Sequence, residues 1–388
     1  MRIAAFVTHP IQYYAPIFRT LSNTVDLHVY YGQVATSDQQ ASAGFGVQFD
    51  WDVDLLSGYS SSLLDNVAPA PNVHDFGGCD VPSVGKLLKE ERFDAIIVFG
   101  WYQKFFLQTL YAAKRLGIPV LVRGDSQLDT PRNPIKRFAK NIGYPLFLRA
   151  FDAALYVGEK SREYYQYYRY PNEKLFFSPH SIDTQYFAAH ATDADRSAWR
   201  AELGVRDETK LILFCGKLLE GKRPLDLIDA LGRARLRTPS LELVIAGSGP
   251  LEEAVHHRAN QLGVPVHFLG FCNQSRLPSI YAAADILCLP SAHETWGLVC
   301  NEALACGTPI IVSDAVGCAA DLANDNNIGR VYPSGNADAL AEAILATASQ
   351  PPPPGSIRHL SDRYSVTAST DGILSALDFT CRTGSHRS

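Results

Sequence analysis

The sequence predicts an α/β protein of two doubly wound domains facing a cleft. Three observations carry this. The chain has 388 residues, which at about 150 residues per domain is two to three domains. Short, continuous apolar runs alternate with amphipathic segments, the pattern of parallel strands covered by helices on both faces. The alternation breaks near 178–208, where Pro179-His180-Ser181-Ile182-Asp183 precedes a polar Ala/Asp/Arg stretch. The expected domains are therefore 1–180 and 181–355, with ligands at the carboxyl ends of the strands.

In the first half, Ile3 to Thr8 reads as a buried strand, followed by a Pro-containing loop and an amphipathic segment from Ala15 to Leu21. Val25 to Tyr31 is a second strand. Residues 32–72 read as a long irregular stretch rich in Gly, Ser, Asp and aromatics, more typical of a functional excursion than of a plain connection. Leu87-Leu88-Lys89 closes a helix, Asp94 to Phe99 is a strand, Phe105 to Leu116 a helix and Ile118 to Val122 a strand. Residues 136–150 are helical, and Ala153 to Val157 is another strand.

The second half repeats the style. Strands are expected at Lys210–Cys215, Leu241–Ala246, Val266–Leu269, Ile286–Leu289 and Pro309–Ser313. Helices are expected at Pro224–Leu236, Leu251–Leu262, Leu277–Ala283, Leu298–Ala305 and Ala337–Thr347. Pro351 to Pro354 is an extended spacer. It leads to a segment at 356–380 expected to pack back toward the first domain, and 381–388 reads as a loose tail.

Composition narrows the function. With 35 basic and 40 acidic residues the net charge is −5, which does not support a chain-wide nucleic-acid binder. The eight cysteines include no C-x-x-C pair, so no zinc site is expected, and most sit in apolar runs such as Leu287-Cys288-Leu289. They read as small buried hydrophobes in a reducing compartment. No signal pattern and no apolar run of about 18 residues is seen, so the expected location is the cytoplasm.

Two stretches carry chemistry. Ser291-Ala292-His293-Glu294-Thr295-Trp296-Gly297-Leu298-Val299-Cys300-Asn301-Glu302 follows a strand and opens a helix. The backbone amides of Gly297, Leu298 and Val299 would lie unpaired at the helix N-terminus, an anion site. Glu294 and Glu302 are eight residues apart, roughly 12 Å at helical rise, comparable to the span of a nucleotide-sugar from hexose to ribose. The alternative is a plain helix whose N-terminal acid favours the dipole. The second stretch, Phe214-Cys215-Gly216-Lys217-Leu218-Leu219-Glu220-Gly221-Lys222-Arg223-Pro224, runs strand, glycine turn, two lysines, then proline at a helix start. Gly216 admits a close ligand. Lys217 and Lys222 could neutralise a diphosphate with no metal, or could be solvated loop lysines.

Together these stretches resemble glycosyltransferase family 4, the retaining, metal-independent group with the GT-B fold. The E-x7-E pattern matches Glu294 and Glu302, and the strand–Gly–Arg/Lys–x4–Lys pattern matches Gly216, Lys217 and Lys222. Further matches are Ile245-Ala246-Gly247-Ser248-Gly249-Pro250-Leu251, Tyr281-Ala282-Ala283-Ala284-Asp285 and Glu302-Ala303-Leu304-Ala305-Cys306-Gly307-Thr308-Pro309. The first half departs from the family: Thr8-His9-Pro10-Ile11-Gln12-Tyr13-Tyr14 replaces the usual Gly-Gly loop. Lys217 stands where Arg is commoner, and Trp296 where Phe is usual.

The resemblance implies a retaining glycosyltransferase of hexosyltransferase type. It would move a sugar from a UDP- or GDP-type donor to a glycan, lipid-linked or small-molecule hydroxyl. No cofactor beyond the donor substrate is implied. Lys217, Lys222 and residues 297–299 would stabilise the departing diphosphate. Glu294 would hold the donor sugar and Glu302 the ribose, and the backbone near Phe271 and Cys272 would contact the base. His9 and Asp125 follow strands of the first half and are the acceptor-side candidates; a capped loop histidine and an acid paired with Arg123 are the plainer alternatives. Rival readings are a nucleotide-sugar epimerase and a non-catalytic scaffold subunit.

Three features remain. Residues 131–149 hold Arg132, Lys136, Arg137, Lys140 and Arg149 and no acid, with Ile135, Phe138, Ile142 and Leu146 between them. This reads either as a basic amphipathic helix at the inner face of an anionic membrane or as a core-packed helix with a solvated basic face. Tyr164, Tyr165, Tyr167, Tyr168 and Tyr170 read as a packed aromatic helix rather than a base-stacking surface. Gly247-Ser248-Gly249 lacks the third glycine of a dinucleotide fingerprint, since Glu252 occupies that position.

Overall fold

The computed structural model describes residues 1–34, 48–129, 133–324 and 328–384. They form two compact units: one from the described residues of 1–36, 54–180 and 366–388, the other from those of 37–53 and 181–365.

The first unit begins with β1 (Arg2–Val7), α1 (Ala15–Ser22), β2 (Asp26–Tyr31) and β3 (Ser60–Leu63). It continues with α2 (Val84–Glu91), β4 (Ala95–Val98), α3 (Lys104–Leu116) and β5 (Val120–Gly124). It closes with α4 (Pro134–Leu148), β6 (Ala153–Tyr156), α5 (Glu159–Tyr167) and β7 (Leu175–Phe177). The seven strands pair in parallel in the order β3-β2-β1-β4-β5-β6-β7. Alternate side chains of a strand point to opposite faces, and β1 shows why its run is apolar throughout. Ala4 and Phe6 enter one core with Trp101, Tyr164 and Tyr165. Ile3, Ala5 and Val7 enter the other with Ile17, Phe18, Ile373 and Leu377.

The second unit starts with α6 (Thr184–Ala189), α7 (Asp193–Glu202), β8 (Lys210–Cys215), α8 (Pro224–Arg235), β9 (Leu241–Ala246), α9 (Glu252–Leu262) and β10 (Val266–Gly270). It continues with α10 (Leu277–Ala283), β11 (Ile286–Leu289), α11 (Leu298–Ala305), β12 (Ile310–Ser313), β13 (Gly329–Tyr332), α12 (Ala337–Ser349) and α13 (Pro354–Arg363). Its six parallel strands run β10-β9-β8-β11-β12-β13. Strand order therefore reverses between β8 and β11, the switch point where such sheets bind ligands. The last helix, α14 (Val366–Gly384), returns to the first unit. Its Ile373, Ala376 and Leu377 complete the core over β1 and β6.

Several elements differ from the sequence reading. The irregular stretch 32–72 contains β3, a serine-rich edge strand with no apolar face, held by backbone pairing to β2; residues 35–47 lie outside the described part. Strands β7 and β13 are too short to show a period. The polar stretch at 184–202 is two helices, the second opened by Thr192, whose hydroxyl caps the Asp195 amide. Residues 356–365 belong to the second unit, and the chain stays helical to Gly384. Residues 48–53 lie on the second unit, where the Asn273 amide donates to the Asp50 carbonyl at 2.8 Å and Phe49 meets Phe271 at 4.3 Å. In α4, Tyr144, Phe147 and Leu148 face the core, but Ile135, Phe138, Ile142 and Leu146 are exposed, so the helix is not core-packed along its length. Arg132 lies outside the described residues.

One largely buried acid ties α7 to the sheet of the second unit. Asp285 accepts from Arg196 Nη2 at 2.9 Å, from Arg200 Nη1 at 3.3 Å and from the Leu211 amide at 2.8 Å, and its side chain is 14% exposed. Arg200 also donates to the carbonyls of Thr209 and Arg206 at 2.6 and 3.1 Å. Removing one partner of such a group leaves the others desolvated and unpaired. Asp285→Ala should therefore cost about 3–5 kcal/mol in urea denaturation; a loss below about 1 kcal/mol would show that the node is dispensable.

Candidate functional site

The carboxyl ends of β8, β9 and β11 are brought together by backbone contacts that leave no room for side chains. Gly216 donates its amide to the Ala246 carbonyl at 3.0 Å, and the Leu218 amide donates to Ser248 at 2.9 Å. A Cβ on Gly247, which sits at φ +157°, would stand 1.9 Å from the Gly216 carbonyl oxygen. Gly247-Ser248-Gly249 thus serves as the wall against which the Lys217 loop folds. Space in front of Gly216 is open: among the described residues, chain neighbours aside, no atom lies within 4 Å of where a Cβ would be.

The second loop is pinned just as closely. The Ala292 amide donates to the Gly221 carbonyl at 2.8 Å, which joins the two motif stretches directly. Glu294 pairs with Val316 as an isolated parallel bridge, its carbonyl accepting from the Gly317 amide at 2.9 Å. A Cβ on Gly317 would lie 1.9 Å from the Thr295 carbonyl oxygen. Sequence reasoning did not single out residues 315–317, because a backbone clamp leaves no residue-type signal beyond its glycine.

These loops place three charged side chains together. The Lys222 ammonium donates to the Glu294 carboxylate. Lys217 lies in the field of both, its pKa lowered first by burial and then by the Lys222 charge. Gly297, at φ +102°, forms the N-cap of α11, so the first-turn amides of Leu298 and Val299 open from the same loop. Lys217, Lys222, Glu294 and 297–299 therefore gather at the sheet's switch point.

Glu302 is fully buried, and its carboxylate accepts from the Tyr281 hydroxyl at 2.7 Å, which ties α11 to α10. Tyr281 also bonds the Cys215 thiol, whose pKa burial pushes up. Tyr281 entered the sequence reading only as part of a motif match. Trp296 is buried too, its indole N–H donating to Asn301 at 2.8 Å. Cys272 is half-buried beside Phe271 on the loop that carries residues 48–53. None of the eight cysteines is in a disulfide. Among the described residues no group of three His, Cys, Asp or Glu could hold a metal ion.

In the first unit, Asp125 follows β5 and faces His180 Nε2 at 3.7 Å. Burial is the largest influence on the Asp125 carboxyl and pushes it up, but the bond to His180, the His180 charge, a backbone hydrogen bond and the Arg123 charge together make the net shift downward. Arg123 is buried and donates to the Ser178 and Pro179 carbonyls at 3.2 and 2.8 Å, with its guanidinium 5.5 Å over Tyr14. It contributes its field to Asp125 rather than a direct pair. His9 follows β1, and its Nδ1 lies 2.9 Å from the Thr8 hydroxyl.

Burial, and then the His74 charge, lower the His9 pKa to about 4. The unfolded chain takes up this proton near pH 6.5, so folding stability falls as pH drops from about 6.5 to about 4. His9→Gln should flatten part of that fall, read as urea midpoints between pH 7 and pH 4. Parallel curves for the two proteins would show that His9 is not held neutral.

Residues 195–359 match the family model described as glycosyl transferases group 1. An uncharacterized glycosyltransferase of Methanocaldococcus jannaschii is 35% identical over 176 residues, 45% of this chain and 45% of that protein. A D-inositol 3-phosphate glycosyltransferase of Kribbella flavida is 31% identical over 235 residues, 58% of this chain and 53% of that one. The match thus spans about half the length of these curated relatives. Among solved structures, Anabaena HepE in complex with UDP aligns over 97% of this chain and 100% of its own, with TM-score 0.72 and 19% identity. That likeness, with two parallel sheets each interleaved with helices, gives the chain the two-domain GT-B fold. By sequence, residues 195–359 are similar to the glycosyl transferases group 1 family.

Proposed function

We propose that the protein is a retaining glycosyltransferase that takes a sugar from a nucleotide-diphospho-sugar and passes it to a hydroxyl of a glycan, lipid-linked or small-molecule acceptor, without a metal. The observation that carries this reading is the gathering of Lys217, Lys222, Glu294 and the open turn of α11 at the switch point of the family-matched unit. When the glycosidic bond breaks, the leaving diphosphate gains negative charge. Two ammonium groups and two backbone amides aimed at one place favour that charge, and preorganised donors of this kind act mainly on the transition state. The Lys222 pair orients the Glu294 carboxylate to accept hydrogen bonds from hydroxyls of the donor sugar. The acceptor's proton passes to the leaving phosphate on the same face, which retains configuration. His9 and Asp125, each following a strand of the first unit, are the acceptor-side residues of this reading. UDP is the first donor base to test, since the HepE structure aligned above holds UDP. Eight cysteines outside any disulfide fit a cytoplasmic, reducing setting.

Two measurements test it. Thermal melts against UDP, GDP, ADP, CMP and dTDP should show stabilisation by one diphosphate, about 2.7 kcal/mol at 100 times its Kd. Lys217→Ala with Lys222→Ala should abolish that shift. Glu294→Gln should lower turnover of the matching nucleotide-sugar about a hundredfold or more with its melting temperature kept. Near-wild-type turnover would remove the role assigned to Glu294, and conversion of the donor with no acceptor present would favour an epimerase.

A further inference from the structure

Helix α4 has two apolar faces, and the first unit uses only one. Tyr144, Phe147 and Leu148 pack on its core. The Lys140 ammonium lies over the rings of Tyr144, Tyr164 and Tyr168 at 4.2, 5.0 and 5.9 Å, which seats the helix on α5. On the other face stand Ile135, Phe138, Ile142 and Leu146, spaced as a single helical stripe. They are 78, 68, 67 and 79% exposed. At 1.5 Å per residue the stripe is about 16 Å long. An uncovered, continuous apolar surface of this kind marks a contact site rather than ordinary surface.

The surrounding charge identifies what covers it. Residues 133–151 include Lys136, Arg137, Lys140 and Arg149 and no acid. The acids nearest in sequence are engaged elsewhere: Asp129 with Lys160 at 3.1 Å and Asp152 with Lys114 at 2.6 Å. Lys136, Arg137 and Arg149 are exposed. Arg149 falls on the stripe's own side, eleven residues beyond Phe138, and long basic side chains reach headgroup level from an immersed helix. A second copy seated on the same stripe would bring these like charges together. An anionic bilayer presents an apolar interior beneath a layer of phosphates, which matches both features at once.

We propose that α4 docks the protein on an anionic membrane surface, with Ile135, Phe138, Ile142 and Leu146 in the acyl boundary and Lys136, Arg137 and Arg149 at the phosphates. The attachment is peripheral: no helix among the described residues is long and apolar enough to cross a membrane.

Sedimentation with phosphatidylcholine vesicles, with and without phosphatidylglycerol, tests this. The wild-type chain should pellet with the anionic vesicles at low salt and be released at high salt. The quadruple variant Ile135→Ser, Phe138→Ser, Ile142→Ser, Leu146→Ser should stay in the supernatant. Lys136→Ser, Arg137→Ser and Arg149→Ser should each weaken binding about fivefold. All these side chains are exposed, so melting temperatures should be unchanged, which separates lost docking from lost folding. A wild-type chain that stays soluble with anionic vesicles at low salt would overturn the proposal, as would a quadruple variant that binds like wild type. So would a stripe-dependent dimer on gel filtration with no vesicle binding.

Discussion

Backbone packing at the carboxyl ends of β8, β9 and β11 is the constraint on which the rest of the site depends. The loop after β8 runs along the loop after β9 at a distance that would put a Cβ of Gly247 inside the Gly216 carbonyl. The loop after β11 is clamped on 315–317 with the same tolerance at Gly317. Interiors packed this closely transmit displacement instead of absorbing it. Lys217, Lys222 and Glu294 therefore inherit their positions from main chain, not from side-chain packing. A site made to meet a developing charge gains from such rigidity, since its donors need no reorganisation when the charge appears.

Buried charge elsewhere has a different use. Asp285, held by Arg196, Arg200 and the Leu211 amide, joins the helix that precedes the second sheet to the sheet itself. Arg123 joins the end of β5 to Ser178 and Pro179 at the edge of the first unit. Glu302 and Tyr281 join α11 to α10. Each is a desolvated polar group satisfied at several points, and such groups enforce one arrangement because every alternative leaves a charge or hydroxyl unpaired. Glu302 shows that one motif can divide its labour. Glu294 sits on the loop beside two lysines, while Glu302, eight residues on, secures the helix from inside.

The surface of the first unit follows another logic. Tyrosines 164, 165, 168 and 170 are all buried, so most of the aromatic run of α5 and the turn after it is core, while Tyr167 is exposed. It also forms the seat for Lys140 and thereby sets which side of α4 faces outward. An apolar stripe beside basic residues is the surface that this arrangement leaves uncovered.

The sequence alone determined the α/β class, the alternation of buried strands and helices, and the grouping of Gly216, Lys217, Lys222, Glu294 and 297–299 into two strand-end loops. Those signals are local: a run of apolar residues, a glycine after a strand, a helix opening. Elements without a local signal were not legible. Strand β3 is serine-rich and held by its neighbour's backbone, β7 and β13 are too short for a period, and α6 and α7 are polar helices defined by caps and packing. Tertiary structure alone decided that Glu302 is buried against Tyr281 and that residues 48–53 belong with Phe271 and Asn273. It also decided that one face of α4 stays bare. Each of these depends on which distant residue fills the space beside a side chain, and spacing along the chain carries no record of that.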